Sequence, residues 1–280
     1  MSPQKAANRG RLCTAPLRRC LQCRRKRCPA LPAQLSIFAH VDEPQVEVLG
    51  QGPRVVLVHG SVGNAAATWA QQRPLAERYT LVLVTRPGYP PGPPRERIDF
   101  AEQAEQVATL LRPGDHLVGH SYGGVISLLA ASQRPDTLRS LTVNEPPAFG
   151  VARGDPAVED FLNRFPQAPR EPRAYLDFFL PLVGSNMPLP DPLPPDLEAG
   201  ARAALGERPP HEAEIPLSEL AATRFPKLVV SGGHSAVFDA VCDALERELG
   251  AERAVVPGAG HSIPRAPGYT ETLARFLESA

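Results

Sequence analysis

The chain has 280 residues, 42% hydrophobic and 21% charged, with 33 prolines and a formal net charge of zero. That length and composition exclude a wholly disordered polypeptide and allow a sizeable buried core in one domain or two. No apolar run reaches the length of a membrane span, which argues against a transmembrane protein.

The charge is unevenly distributed. Residues 1–35 carry nine Lys/Arg and no Asp or Glu, so 36–280 is nine units acidic. The first segment is expected to be a basic, disordered tail. It also holds Cys13, Cys20, Cys23 and Cys28, a spacing that would let four thiolates converge on zinc. Few apolar residues stand there to support such a knuckle, so the expectation is no metal. A basic tail can touch nucleic acid or an anionic surface. The body has neither a basic patch nor aromatic-basic interleaving, and no nucleic-acid or membrane partner is expected for it. The N-terminus lacks the apolar stretch of a secretory signal, so the expected location is cytoplasmic.

From residue 36 the pattern alternates between short apolar runs and helical periodicity. Residues 37–41 and 45–49 read as two weak strands of a hairpin. Val55-Val56-Leu57-Val58 is continuously apolar, as expected of a central parallel strand covered on both faces. His59-Gly60-Ser61-Val62-Gly63 then makes a loop, with His59 read as structural. Residues 66–78 are expected to form one helix, with Trp69 either lining a pocket floor or anchoring the core. Strand 79–84 leads into a turn containing Arg86, read as tying that turn down. An amphipathic helix spans 98–111, and His116 reads as a surface residue ahead of the next strand.

That next strand ends in Leu117-Val118-Gly119-His120-Ser121-Tyr122-Gly123-Gly124, and a small-residue helix follows. This is a G-x-S-x-G elbow in a strand–turn–helix setting. Such a turn lifts the serine Oγ clear of the sheet and aims backbone N–H groups at the reaction centre. His120 points away from the reaction in such an elbow. After strand 138–143 the rhythm breaks. Residues 149–214 hold helical pieces at 155–165, 172–183 and 193–205 between proline-rich joints, with Phe149, Phe161, Phe165, Tyr175, Phe178 and Phe179 among them. Strand 227–231, helix 238–249 (with a buried Cys242), strand 254–256, Gly258-Ala259-Gly260-His261 and helix 269–277 complete the chain.

The apolar strand before His59-Gly60, the elbow and the late Gly-Ala-Gly-His resemble the α/β-hydrolases, in the broad group of small serine hydrolases with a cap. The resemblance runs over about 46–277. It implies an α/β fold with a mostly parallel sheet, helices on both faces and a helical cap. The domain expectation is a tail at 1–35, a core from 36–148 plus 215–280, and a cap at 149–214. In that family Ser121 is the nucleophile and His261 the general base. Backbone N–H groups of Ser61 or Val62 and of Tyr122 form the oxyanion hole. The third member is open. The usual slot after the post-cap strand, Gly232-Gly233-His234-Ser235, has no Asp at Ser235. Glu145, at the end of strand 138–143, is the preferred acid, because haloalkane dehalogenases place theirs there; Asp239 is the alternative.

The expected function is hydrolysis of a small ester or related acyl substrate through an acyl-enzyme, with a small-molecule partner, no cofactor and no metal. A serine nucleophile argues against haloalkane dehalogenation, and no Gly-rich dinucleotide fingerprint follows the first core strand. C–C bond hydrolysis remains an alternative, as does a non-catalytic protein binding a small molecule under the cap.

Overall fold

In the computed structural model, residues 43–185 and 187–280 are described. The basic tail with its four cysteines, and strand 37–41 of the expected hairpin, lie outside them. Seven strands form one sheet in the order β1-β3-β2-β4-β5-β6-β7. They are β1 (Gln45–Leu49), β2 (Arg54–Val58), β3 (Thr80–Thr85), β4 (Asp115–His120), β5 (Leu138–Asn144), β6 (Lys227–Ser231) and β7 (Glu252–Val255). β1 pairs antiparallel to β3, and every other pairing is parallel. Parallel neighbours need crossovers, and the helices that make them cover both faces.

Period-two alternation sends the strand residues to two separate cores. Val56, Val58, Val82, Val84, Leu117 and Val143 face one layer, which holds α2 (Phe100–Leu110), α3 (Tyr122–Gln133) and α8 (Ala236–Leu249). Val55, Leu57, Leu81, Leu83, Val118 and Val230 face the other, with Trp69, Leu75 and α9 (Tyr269–Ser279). Trp69 is fully buried there, so it is a core anchor. Helix α3 is buried nearly all round, which accounts for its small-residue, uniformly apolar sequence.

Two expectations need correction. Residues 66–78 are not one helix. A short α1 (Ala65–Thr68) gives way at Trp69 to a 3-10 helix, Ala70–Glu77, that contains Pro74. Proline has no N–H for an α-helical bond and its ring crowds the preceding turn. His116 is not on the surface. It lies inside β4 with 1% exposure, its Nδ1 2.7 Å from Ser140 Oγ on β5.

Between β5 and β6 the chain leaves the sheet. Residues 149–214 contain α4 (Pro156–Arg164), α5 (Pro172–Leu182) and α6 (Pro195–Leu205). Asp155 and Glu171 cap the first two by accepting from backbone N–H groups of the opening turns. Proline opens all three, at the position where its missing N–H costs nothing. Tyr175, Leu176, Leu180, Ala201 and Ala204 pack with Val62 into a small core of their own. A Cβ on Gly200 of α6 would stand 1.7 Å from the Val62 carbonyl oxygen, so only glycine lets α6 lie directly on the loop after β2. The short α7 (Leu217–Ala221) leads back to β6.

Candidate active site

Sheet register brings the site together. In the β4–β5 pairing His120 stands opposite Asn144, so the next residues, Ser121 and Glu145, leave the sheet side by side. The Ser121 N–H donates to the Asn144 carbonyl at 2.9 Å, and the Glu145 N–H to that of Val230 at 2.9 Å. Glu145 is thereby carried to the end of β6, where the Gly232 N–H donates to its Oε1 at 2.6 Å.

Both residues turn sharply. Among the described residues, three that are not glycine have positive φ: Val62 (71°), Ser121 (52°) and Glu145 (40°). Each such residue costs on the order of 1–3 kcal/mol and persists only where its surroundings fix it. At the elbow, a Cβ on Gly123 would stand 2.4 Å from the carbonyl oxygens of Val58 and His59, and one on Gly119 2.5 Å from the Gly123 oxygen. The two glycines of the motif let the β4–α3 corner close against β2.

His261 arrives on the loop after β7. Its Nε2 is 2.8 Å from Ser121 Oγ and its Nδ1 2.7 Å from Glu145 Oε2. With Glu145 ionised, Nδ1–H donates to the carboxylate and Nε2 accepts from the serine hydroxyl. Ser121, Glu145 and His261 are all buried. Burial holds the His261 imidazole well below its ordinary value, and nearby His234 acts in the same direction. Burial likewise pushes the Glu145 carboxyl up, opposed by the Gly232 N–H. The Phe238 ring stacks on His261 at 4.4 Å between centroids.

Tyr122 opens α3, so its N–H is among the first four of the helix, which have no carbonyl one turn back. Ser61 and Val62 line one cavity together with Ser121, and Ser61 and Ser121 line a second. Asp239 is not brought to His261. It accepts from Ser231 Oγ at 2.8 Å and from Arg253 Nη2 at 3.3 Å. Ser235, in the slot where an Asp was looked for, is the residue before α8. His59 accepts the Arg86 N–H at Nε2, 3.0 Å, and its Nδ1–H donates to the Gly60 carbonyl. His120 does not point away as expected: its ring lies 5.2 Å from that of His261 and borders the open cleft, and its Nε2–H donates to the His261 carbonyl at 2.8 Å, which steadies the histidine loop.

Two residues near the site went unnoticed in the sequence. His234 lies 3.4 Å from Glu145 Oε1 through Nδ1, while its Nε2–H donates to the Val183 carbonyl. Glu207, just past α6, pairs with the buried Arg86 guanidinium. It also accepts from Tyr89 OH at 2.7 Å and from Ser61 Oγ at 2.5 Å. Arg86 in turn lies over the rings of Tyr89 and Tyr122, 4.6 and 4.7 Å from their centroids. One buried ion pair therefore ties the chain after α6 to the Ser61 loop and to Tyr122, the residue after Ser121. No local pattern marks Glu207, because its partners are more than a hundred residues away.

Two cavities meet at Ser121. An open cleft of about 290 Å³ is lined by His120, His261, Ser262, Met187 and Leu197. A narrow pocket of about 40 Å³ is lined by Tyr122, Phe149, Phe161, Phe165 and Phe238. Among the described residues no group of three or more His, Cys, Asp or Glu is placed to hold a metal ion, and no helix is long and apolar enough to cross a membrane.

Known proteins resemble the chain to different extents. The chain is similar to the pimeloyl-[acyl-carrier protein] methyl ester esterase of Aeromonas salmonicida, 41% identical over 107 residues, which cover 37% of this chain and 42% of that protein. The match thus spans about two fifths of the length of these curated relatives. Among solved structures, a membrane phospholipase A described as a bacterial virulence factor superposes with a TM-score of 0.67 at 25% identity, over 86% of this chain and 87% of that one. A thermophilic esterase of Thermogutta terrifontis does so with a TM-score of 0.59 at 21% identity, over 84% and 93%, and so shares the fold. Residues 55–271 match the sequence profile of the alpha/beta hydrolase family, and the chain, with its mostly parallel sheet and helices on both faces, belongs to that family.

Proposed function

We propose that the protein is a serine esterase acting on small esters through an acyl-enzyme. The observation that carries this reading is the unbroken row from Ser121 Oγ through His261 to Glu145, with hydrogen-bond distances of 2.8 and 2.7 Å. The esterase names of the relatives, among them one for a methyl ester, support the substrate class.

Ser121 is the nucleophile. As Oγ attacks the ester carbonyl, its proton passes to His261 Nε2, and the imidazolium is stabilised by the Glu145 carboxylate on Nδ1. The carbonyl oxygen becomes an oxyanion between the N–H of Tyr122 and that of Ser61 or Val62. A donor of this kind is worth about 3 kcal/mol. When the tetrahedral adduct collapses, the C–O bond to the leaving group breaks and Nε2–H protonates the departing oxygen. Water then repeats the sequence, releasing the acid and restoring Ser121. The lowered proton affinity of His261 keeps it a neutral base at the start of each half-reaction. Residues 149–214 act as a cap over Ser121, where their aromatic rings exclude water and strengthen the electrostatics beneath. A cytoplasmic location belongs to this proposal and is tested by cell fractionation.

A fluorophosphonate probe tests the chemistry. Ser121 of the folded protein is expected to label, and Ser121→Ala to lose labelling together with turnover of a panel of acyl esters, by on the order of 10⁴-fold or more. Absence of labelling, with no activity for Ser121→Ala to remove, would leave a small-molecule-binding member of the fold.

A further inference from the structure

The two cavities that meet at Ser121 differ in size and in which catalytic group they contain, and together they specify how an ester must lie. We infer that the narrow aromatic pocket takes the acyl group and the open cleft takes the alcohol, so that the substrates are esters of short, uncharged acids with bulkier, largely apolar alcohols. This assignment rests on the esterase reading, with Ser121 as nucleophile and His261 as proton carrier.

The tetrahedral carbon on Ser121 Oγ has three other substituents. The oxyanion is directed to the backbone donors. The leaving oxygen must take its proton from His261 Nε2, so it stands within hydrogen-bond reach of that atom. His261 lines the open cleft and not the aromatic pocket. Phe238 covers a face of the His261 ring at 4.4 Å and itself lines the aromatic pocket, so a hydrophobic wall separates that pocket from the imidazole. The leaving group therefore extends into the cleft. The acyl carbon chain takes the remaining direction, past Tyr122.

Size then sets the substrate. The aromatic pocket is the smaller of the two, about 40 Å³ against about 290 Å³ for the cleft, which suits a short acyl group. Its walls are rings packed on one another: Phe149 on Phe161 at 4.8 Å, Phe161 on Phe165 at 5.9 Å, and Tyr175 on Phe179 at 5.1 Å. Such walls yield little to a longer chain. Glu207 also borders this pocket with its side chain only 7% exposed, so an acyl group with its own carboxylate meets a poorly solvated acid there. The cleft, about 290 Å³ and lined by Leu180, Leu197, Met187 and Pro264 among others, accepts an alcohol the size of an aryl-alkyl group.

Two ester series on the full chain test this. With a constant p-nitrophenyl leaving group, kcat/KM is expected to be highest for acetyl to butyryl and at least a hundredfold lower for octanoyl. With constant acetate and alcohols of similar acidity, it is expected to rise at least tenfold from methyl to 2-phenylethyl. Phe161→Ala, or the milder Phe165→Ala at a half-buried ring, should move the acyl cut-off to longer chains and leave the preference for 2-phenylethyl over methyl acetate intact. Equal or better turnover of octanoyl esters, or preference for long-chain methyl esters over 2-phenylethyl acetate, would overturn the assignment. Fluorophosphonate labelling of Ser121 runs alongside. A labelled, active enzyme with the reversed preference sinks only the pocket assignment, whereas an unlabelled protein that turns over neither series sinks the esterase reading and the assignment with it.

Discussion

Two acids with buried side chains lie near Ser121 and differ in what they touch. Glu145, at the corner after β5, faces an imidazole and a backbone N–H. Glu207, at the junction after α6, faces a guanidinium, a phenol and a serine hydroxyl. Burial pushes both carboxyls up, and the neighbours pull them back. The difference lies in the partner. An imidazole can accept and return a proton, so a carboxylate behind it can work in each turnover. A guanidinium is a fixed hydrogen-bond donor, so the carboxylate beside Arg86 holds structure. Buried acids near a nucleophile are sorted by what they touch rather than by how far their proton affinity is shifted.

The sharpest way to break this comparison is to neutralise each acid in turn. Glu145→Gln keeps the shape but offers His261 no charge, and its amide can select the wrong tautomer. The expected loss in kcat is about 10³–10⁴-fold. Its thermal stability should change little, since a neutral side chain is cheaper to bury there. A near-normal rate would remove Glu145 from the relay.

Glu207→Gln should do the reverse. It leaves the Arg86 charge buried, with 1% of the residue exposed, and without its anionic partner. Breaking a buried pair in this way costs about 3–5 kcal/mol. For a chain of this size that corresponds to a Tm lower by about 6–20 °C, at about 2–4 °C per kcal/mol. The Ser61 loop loosens without losing its N–H, so kcat per folded molecule should fall by less than the roughly hundredfold that outright loss of an oxyanion donor costs. A calorimetric scan beside single-substrate kinetics separates the two variants. If Glu207→Gln lost rate and kept its Tm, the distinction between the two acids would fail.

The two acids also differ in how visible they were in the sequence. Ser121 was legible because its strained corner needs glycines at fixed offsets, and His261 because its loop carries the Gly-Ala-Gly-His signature after a short strand. Glu145 sits in an equally unusual backbone, with φ of 40°, yet the residues around it, Asn144 and Pro146, announce nothing. It was reached only through resemblance to relatives that place an acid after this strand. Glu207 was out of reach. It meets Ser61, Arg86 and Tyr89 across 118 to 146 residues, and no periodicity encodes such a meeting. The error at His116 has the same root. A polar residue next to Asp115 suggests a loop, whereas β4 already begins at Asp115 and His116 is paired on both sides, with Val55 and Ser140.

His116 is also the case of a buried titratable group with no ionic partner, and it offers a pH test of intermediate size. Burial, aided by Arg139, lowers its value from 6.5 to about 4. Between those two values the unfolded chain binds a proton that the native chain does not, so stability is full above pH 6.5 and is lost as pH falls toward 4. From pH 7.5 to 5 the loss due to this residue is about 2 kcal/mol, at about 1.4 kcal/mol per pH unit below 6.5. His116→Gln keeps a donor for Ser140 and cannot titrate. Its stability deficit relative to the parent should therefore shrink by about 2 kcal/mol over that range in urea unfolding. A constant deficit would mean that His116 takes up its proton as readily in the native chain as in the unfolded one.

Asp239 supplies the smallest effect and the finest discrimination. It lies on α8, the helix that also carries Phe238, and it was the alternative acid in the sequence. Yet its carboxylate is held by Ser231 and Arg253 and is about one-third exposed. A pair that solvent reaches to this extent contributes less than about 1 kcal/mol. Asp239→Asn keeps an oxygen acceptor for Ser231 and should leave kcat nearly unchanged, with a stability loss inside that limit. Arg253 has two further carboxylates within 4 Å, Asp243 and Glu246, so it does not become a lone cation. The decisive measurement is the pair of rates. A Glu145→Gln enzyme that is thousands of times slower beside an Asp239→Asn enzyme at parental speed places the working carboxylate at the end of β5. The inverse pattern would require His261 to swing from Glu145 toward α8, past the Phe238 ring that now stacks on it, and would show the relay closing along another path.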